Sequence, residues 1–574
     1  MRSLWFVLLA TAPQGEPDRS PNDLEVSFDG RWAITANRTS DSVSLVDLQE
    51  GKVVAETRVG QKPFAVSLRG AAAVVTNWLS DSVSVLEVTP PRLAVAATIP
   101  VGDEPRGVAL SPDGARAFVA LAGEDAVVAV DLREKKVVGR VAVGDEPWFV
   151  ALTPDGKRLA VGNSISGDVS VVDAAEMKLL YAVPVEGRSL RQIAVSPDGA
   201  WAYVPHITDR GFPTTLGNIE RGMVIDNRVA RVPLTGAGPR TGLALDQKDL
   251  GAPDPEAVAV SPDGERLVVV AGGFRTLFLL RFPLPFIESP GEFLEPKLHK
   301  DKERYKRVYG LKGRPVAVRF LPDGKTMVVA NYLLNELQIV DWDKADVVRS
   351  IPLGGPAQPS LARRGEAIFY DGNRSWHAWF SCHTCHTDGH TNGGVYDTFN
   401  DGKAGNPKKV LSLRGVTRTA PWTWHGHQKD LGQSVLGSFN RTMSASTATP
   451  EEIRAVLAFL GTLDYAPPAG ERTEAAIRGE AVFKAKACDG CHAPPDYTSN
   501  EPYLVGLESP DDAFKGFNPP SVRGVTTRGP FLHDARAKTL EEVFQKHHRP
   551  SKLNGKPDLT PEELADLLAF LKSL

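Results

Sequence analysis

The chain has 574 residues, 42% of them hydrophobic, so two to four domains with folded cores are expected. Its formal net charge of −4, with both signs interspersed, argues against nucleic acid as a partner. No apolar run approaches the ~20 residues of a membrane span, which argues against that class too.

In chain order, "MRSLWFVLLATA" opens with one arginine, a short apolar run and small residues at Ala10 and Ala12. Residues 1–15 therefore read as a signal-like export segment, although Pro13 disfavours cleavage directly after Ala12. The alternative is an N-terminus with no targeting role. Repeats follow. "PNDLEVSFDGRWAITA", "PFAVSLRGAAAVVT", "PRGVALSPDGARAFVA" and "PWFVALTPDGKRLAVG" begin 42 residues apart, at Pro21, Pro63, Pro105 and Pro147. Three more begin at Arg191, Pro255 and Pro315. Each unit reads as an alternating strand, a Pro-Asp-Gly turn and three further short strands, which is the signature of a propeller blade. The strand texts "AITAN", "VVTNW" and "VVANY" resemble the bacterial β-propeller repeats named for a Tyr-Val-Thr-Asn strand (YVTN repeats), over residues 20–355. The longer fifth and sixth units imply insertions, at residues 205–222 and 286–310, that leave the blades. The second carries a basic run from Lys297 to Arg307 that is either a solvated helix face or a contact with the C-terminal part or with an acidic partner. The repeats show no cluster of titratable residues, so the propeller reads as a platform rather than as an active unit.

Ten of the twelve histidines lie at or after His377, and all four cysteines lie after Phe380. The cysteines occur as "CHTCH" (Cys382, Cys385, His386) and "CDGCH" (Cys488, Cys491, His492). A redox disulfide needs no following histidine, and a four-cysteine zinc site needs neither His386 nor His492. Covalent haem c needs this spacing: two thiols add to the vinyl groups, and the next imidazole becomes the proximal iron ligand. Haem c attachment belongs to compartments outside the cytoplasm, so a periplasmic or otherwise exported location is expected, and the leader agrees. The two motifs sit in duplicated text. "RGEAIF" repeats as "RGEAVF", "RGVTRTAPWTWH" as "RGVTTRGPFLHD", and "TPEEIRAVLAFLGTL" as "TPEELADLLAFLKSL". The last pair predicts capped amphipathic helices. The expected fold is thus multidomain, with an all-β seven-bladed propeller followed by two mainly α cytochrome c-like haem domains, at 360–466 and 470–574.

The segment "CDGCH…FNPPSVRGVTTRGPFLHDARAKTLEEV…DLTPEELADLLAFLKSL" resembles the second half of bacterial di-haem cytochrome c peroxidases, a superfamily that includes the methylamine-utilisation di-haem enzymes. The resemblance covers residues 360–574 and is sharper around the second motif than the first. It implies two haems, one storing or relaying an electron while the other meets hydrogen peroxide. It also implies an electron-donor protein such as a small cytochrome c or a cupredoxin, and a calcium ion between domains, for which Asp401 and Asn406 are candidates. The catalytic residues themselves are not identified. Where the family carries a distal glutamate near the first haem, this chain has Arg441, Thr442 and Met443, which puts peroxide chemistry there in doubt. Met443, the one methionine in this part, is the candidate distal ligand of haem one. For haem two the family's methionine position falls on His547, with His548 next to it. Trp422 and Trp424 are candidates for electron relay or for haem-wall packing. His390 reads as a residue near the haem rather than a ligand, and His533 as part of the haem surroundings. Two functions stay open: a di-haem oxidoreductase using peroxide or oxidising an unknown substrate, and a non-enzymatic electron carrier with the propeller as docking module.

Overall fold

The computed structural model describes residues 16–574 except 292, 445 and 469–471, so the signal-like segment lies outside the described residues. Seven antiparallel four-stranded sheets span residues 21–58, 63–100, 105–142, 147–184, 194–244, 255–308 and 315–352. They are the seven expected blades, and each is built from strands consecutive in sequence. The Pro-Asp-Gly text makes the first turn of a blade. In blade three, Ser111 Oγ donates to Asp113 Oδ1 (2.5 Å), and the Gly114 N–H donates to the Ser111 carbonyl. Gly114 sits at φ +69°, a conformation glycine adopts at no steric cost. The asparagine of the repeat signature is buried. Asn37 Nδ2 donates to Ser42 and Ser44 across the next strand, and Asn77 does the same to Ser82 and Ser84. Burying an amide is tolerable when its hydrogen bonds are made, and here the third strand supplies the acceptors.

Neighbouring sheets bury Val, Ile, Leu and Ala between them, as in the cluster of Val74, Val119, Leu121, Val128 and Trp148. Blade seven closes on blade one through side chains. Arg319 reaches Asp23 (3.3 Å) and Glu25 (3.2 Å), and Arg349 donates to the carbonyls of Leu48, Gln49 and Glu50.

Two details of the insertions differ from expectation. The strand of blade five continues through Pro205 to Asp209, so the inserted segment begins only after it and includes a short helix, Leu216–Glu220. In blade six the basic run does not leave the blade entirely. Tyr305–Val308 returns as its outermost strand, paired with Leu277–Leu280, because Tyr305 and Val308 are apolar enough to be buried there.

After residue 355 the chain is mainly helical. Leu361–Phe369 packs on Pro450–Leu460, and Glu474–Ala485 packs on Pro561–Lys572. Both packings close on a glycine. A Cβ at Gly365 would lie 1.9 Å from the Ala455 carbonyl, and one at Gly479 would lie 1.9 Å from the Asp566 carbonyl. The glycine of the duplicated "RGEA" text is therefore the point where two helices touch backbone to backbone. Thr449 with Glu452 and Thr560 with Glu563 form the expected capping boxes. Among the described residues no helix is long and apolar enough to cross a membrane.

Candidate functional site

The first cysteine motif lies on one short helical turn, Cys382–Cys385, capped by Ser381. His386 follows, and its Nδ1 hydrogen-bonds the Leu411 carbonyl at 2.9 Å. In the second motif His492 Nδ1 hydrogen-bonds the Tyr497 carbonyl at 3.3 Å, and the Pro520 backbone also lies beside the ring. Leu411 and Pro520 occupy the same place in the duplicated text, three residues before the arginines of "RGVT". A carbonyl on Nδ1 fixes the tautomer and leaves Nε2 as the metal-ligating nitrogen. Burial pushes the His386 ring down to about 4 and lowers that of His492, so both stay neutral, as a ligand must be. All four cysteines are outside any disulfide. Burial raises the Cys382 thiol to about 12 and the Cys488 thiol to about 11. Such thiols stay protonated, unlike the thiolates of redox pairs or zinc sites.

The distal candidates occupy equivalent places. In each half a helix opens, at Leu431 or Leu540, and widens into a π turn, Ser438–Met443 or Val543–His547. Turns of this kind recur at functional sites. Met443 is buried, with its Sδ 3.8 Å from Cys382 Sγ. In the second half the ring of His548 faces His492, with centroids 6.5 Å apart. Two imidazoles sharing one metal at Fe–N distances near 2 Å would put their centres roughly 6 Å apart, so this pair fits a metal between them. No comparable contact joins His547 to His492 among the described residues. The π hydrogen bond, from the His548 N–H to the Val543 carbonyl (2.7 Å), shifts the facing residue by one position. The first site fits a large group on other grounds. Trp379 Nε1 and Thr442 Oγ1 are buried with no partner, and Trp379 belongs to the same apolar cluster as Met443, Cys382 and Cys385.

Much of that cluster comes from the propeller. Ile207, Ile219, Val224 and Ile225 of blade five and its insertion pack against Trp379, Phe380, Tyr396 and Met443. Glu220 of the same insertion accepts from Trp376 Nε1 at 3.1 Å. Contact with this C-terminal part was one of the readings of the basic run, and the first insertion makes such a contact.

His390 is held at both nitrogens, by Ser412 Oγ and by the Thr527 carbonyl (2.8 Å each), so it ties the two halves together. Trp422 Nε1 donates to the Val416 carbonyl, and Trp424 Nε1 to the Lys409 carbonyl. Trp424 and His533 match in the duplicated text and meet where the halves join, with ring centroids 6.2 Å apart. Asp401 and Asn406 hydrogen-bond each other, and the Lys408 ammonium reaches Asn406 and Asp512. The two calcium candidates thus hold each other and a lysine ammonium. Among the described residues no group of three or more His, Cys, Asp or Glu could hold a metal ion.

The expectation that the propeller lacks a titratable cluster is overturned. The residues flanking the proline at the start of each innermost strand converge on one end of the axis, and Glu104, Arg106, Glu256 and Arg314 are all buried there. Glu256 accepts from Arg314 at 2.6 Å and faces Arg191 at 3.5 Å. Glu104 binds Arg106 (3.2 Å) and, from the haem region, Arg414 (3.1 Å). Burial alone would raise the Glu104 carboxyl, but Arg414 and Arg106 hold it down at about 2. The guanidinium of Arg106 lies within 4.3–4.8 Å of the ring centres of Phe64, Trp78 and Trp148. The signal was present as charged residues beside the strand-opening proline in "KPF", "EPR", "EPW", "DPE" and "RPV". What it could not give was the convergence of residues more than a hundred positions apart.

The loop of the first cysteine motif is seated in this mouth. Ser381 Oγ and Thr384 Oγ1 donate to the two oxygens of Asp254, each at 2.6 Å. His383 Nδ1 accepts from the Asp388 N–H (3.0 Å), and Nε2 lies 3.3 Å from Glu256 Oε1 and 2.5 Å from Arg191 Nη2. Asp388 faces Arg38 (3.5 Å) and Arg106 (3.7 Å).

A seven-bladed propeller thus holds one Cys-x-x-Cys-His motif in its axial mouth, and a mainly helical module carries the second. The Cytochrome c family profile matches residues 476–574. The chain is 24% identical to the methylamine utilization protein MauG of Methylorubrum extorquens, across 39% of this chain and 80% of that one. It is 23% identical to hydrazine synthase subunit gamma of Kuenenia stuttgartiensis, across 38% and 79%. A solved Kuenenia stuttgartiensis hydrazine synthase chain superimposes with a TM-score of 0.51 at 27% identity, covering 59% of this chain and 99% of that one. The resemblance read from the duplicated C-terminal text thus agrees with the relatives found.

Proposed function

We propose that this chain is an exported di-haem c-type oxidoreductase that moves electrons between two covalent haems and reduces peroxide, or oxidises a substrate, at one of them. Cys382 and Cys385 would hold one haem with His386 as proximal ligand, and Cys488 and Cys491 the other with His492. The observation that carries this reading is the like support of the two histidines, with Nδ1 of each tied to a backbone carbonyl, Leu411 for His386 and Tyr497 for His492. When bound, haem supplies one-electron exchange and, at an open axial position, a place for peroxide. The chain's own part is to present neutral imidazoles, to exclude water through Trp379, Phe380 and Phe439, and to bring the two halves together at Trp424 and His533. Peroxide reduction consumes two electrons and two protons and yields two waters. The electrons would come from a donor such as a small cytochrome c or cupredoxin.

On this reading Met443 serves the first site and His548 the second. With no carboxylate beside Met443, the exchangeable position falls at the second site, where His548 would leave. A second reading has one observation in its favour: each site has a distal candidate in place, which suits a non-enzymatic electron carrier with the propeller as docking module. Spin-state spectroscopy of the oxidised and half-reduced protein decides. A five-coordinate, high-spin signal that responds to peroxide supports the enzyme. Two low-spin signals indifferent to peroxide support the carrier.

A further inference from the structure

The side chains of the first attachment loop that do not bind haem are engaged by the propeller. Ser381 and Thr384 bind Asp254, His383 faces Glu256 and Arg191, and Thr387 Oγ1 lies 3.0 Å from Ser189 Oγ. Main chain meets main chain as well: a Cβ at Gly251 would lie 2.5 Å from the Ala378 carbonyl oxygen and the Trp379 Cα. The loop has little regularity of its own. It is a single helical turn, with His377, Ala378 and Asp388 at φ between +51° and +56° on either side. Left-handed backbone in residues other than glycine persists only where the surroundings impose it. The second motif lacks this frame. Gly490 and Ala493 are exposed, and Cys488 packs beside a core from its own half, around Phe483, Leu567 and Phe570.

We infer that the propeller is the positioning device of haem one: Asp254, with Glu256 and Arg191, holds the loop by its non-attaching side chains and thereby fixes the His386 ring and the charge beside the first iron. This rests on the proposal that Cys382 and Cys385 carry haem. Asp254 accepts from the hydroxyls on either side of Cys382, so its two oxygens set the roll of the turn from which His386 follows. Its charge lies close to the loop in a medium where charges are weakly screened. Removing it should favour the reduced, less positive iron.

The test is redox titration and electron paramagnetic resonance of the full-length, haem-loaded protein. The variants are Asp254→Asn and Thr384→Val, the latter keeping the shape of the side chain and losing one hydrogen bond. Asp254→Asn should raise the haem-one midpoint potential and change its g-values while leaving haem two where it was. Thr384→Val should move the same haem by a smaller amount. In the double variant the two shifts should fall short of their sum, because both act through one contact. Unchanged haem-one potential and g-values in a variant that keeps both haems would overturn the inference, even with a lower melting temperature, since the clamp would then be packing only. Equal shifts at both haems would overturn it too. Should Asp254→Asn fail to accumulate, the haem-one potential and g-values of Thr384→Val decide by themselves. A parent protein with fewer than two covalent haems would instead defeat the functional proposal, a result distinct from an absent shift.

Discussion

The two attachment motifs share a spacing and a duplicated context, yet they sit in opposite surroundings. His383 and Thr384 lie between the cysteines of the first motif and are 1% and 3% exposed against the propeller. Gly490, between the cysteines of the second, is exposed to solvent. The "RGVT" arginines diverge likewise: Arg414 is buried against Glu104, whereas Arg523 lies 3.7 Å from Asp496 near the surface. Duplication copies the local frame, while the identity of the neighbour decides what each copy can contribute.

Cysteine removal puts this contrast to its largest test. Cys488→Ala with Cys491→Ala should leave one covalent haem per denatured chain by mass, and so should the pair at Cys382 and Cys385. Two haems retained in either case would refute the attachment sites. Axial substitutions come next. His548→Ala should convert the second haem from low to high spin, while His547→Ala should leave its spectrum unchanged. Met443→Ala should lower one midpoint potential and disturb a low-spin signal. An unaltered spectrum would mean that Met443 only packs.

The arginine pair separates buried from exposed more finely. Arg414→Met should cost about 3–5 kcal/mol in denaturant unfolding, because Glu104 and its neighbours lose a buried partner. Arg523→Met should stay within about 1 kcal/mol, as exposed ion pairs do. Equal costs would erase the distinction drawn between the halves.

The smallest effect depends on pH. Burial, reinforced by Glu104, raises the Glu146 carboxyl to about 8, against an unfolded value near 4.3. The folded state therefore binds the proton more tightly. Its advantage is whole below the unfolded value and fades as pH climbs through the folded one. Glu146→Gln, which cannot ionise, should match the parent near pH 5. It should exceed the parent above pH 8, by an amount of the order of 1–3 kcal/mol. A gain that is the same at both pH values would count against a buried, protonated Glu146.

The blades were legible because each is local: the turn Ser111–Gly114 and the spokes Asn37 and Asn77 are written within one repeat. The two Cys-x-x-Cys-His motifs were legible because each is written within five consecutive residues. The socket was not. Glu104, Arg191, Glu256 and Arg314 come from different blades and meet only when the ring is shut, and His383 gains partners as far as 192 positions earlier in the chain, at Arg191. That His548 rather than His547 faces His492 was hidden for another reason, since a π turn advances the facing residue by one and leaves no mark in the text.

Because every blade is one uninterrupted stretch of chain, no strand at the far end is needed to complete the first. The ring can shut as soon as Pro352 has emerged, thirty positions ahead of Cys382. Chains emerge and fold from the N-terminus, so the receptacle is finished before the part it receives exists. The mouth would then stand open for a short time with Arg106, Glu256 and Arg314 in contact with water. The first cysteine pair would have that interval in which to be handled in the open before it is drawn in. The second pair, never enclosed, faces no such deadline.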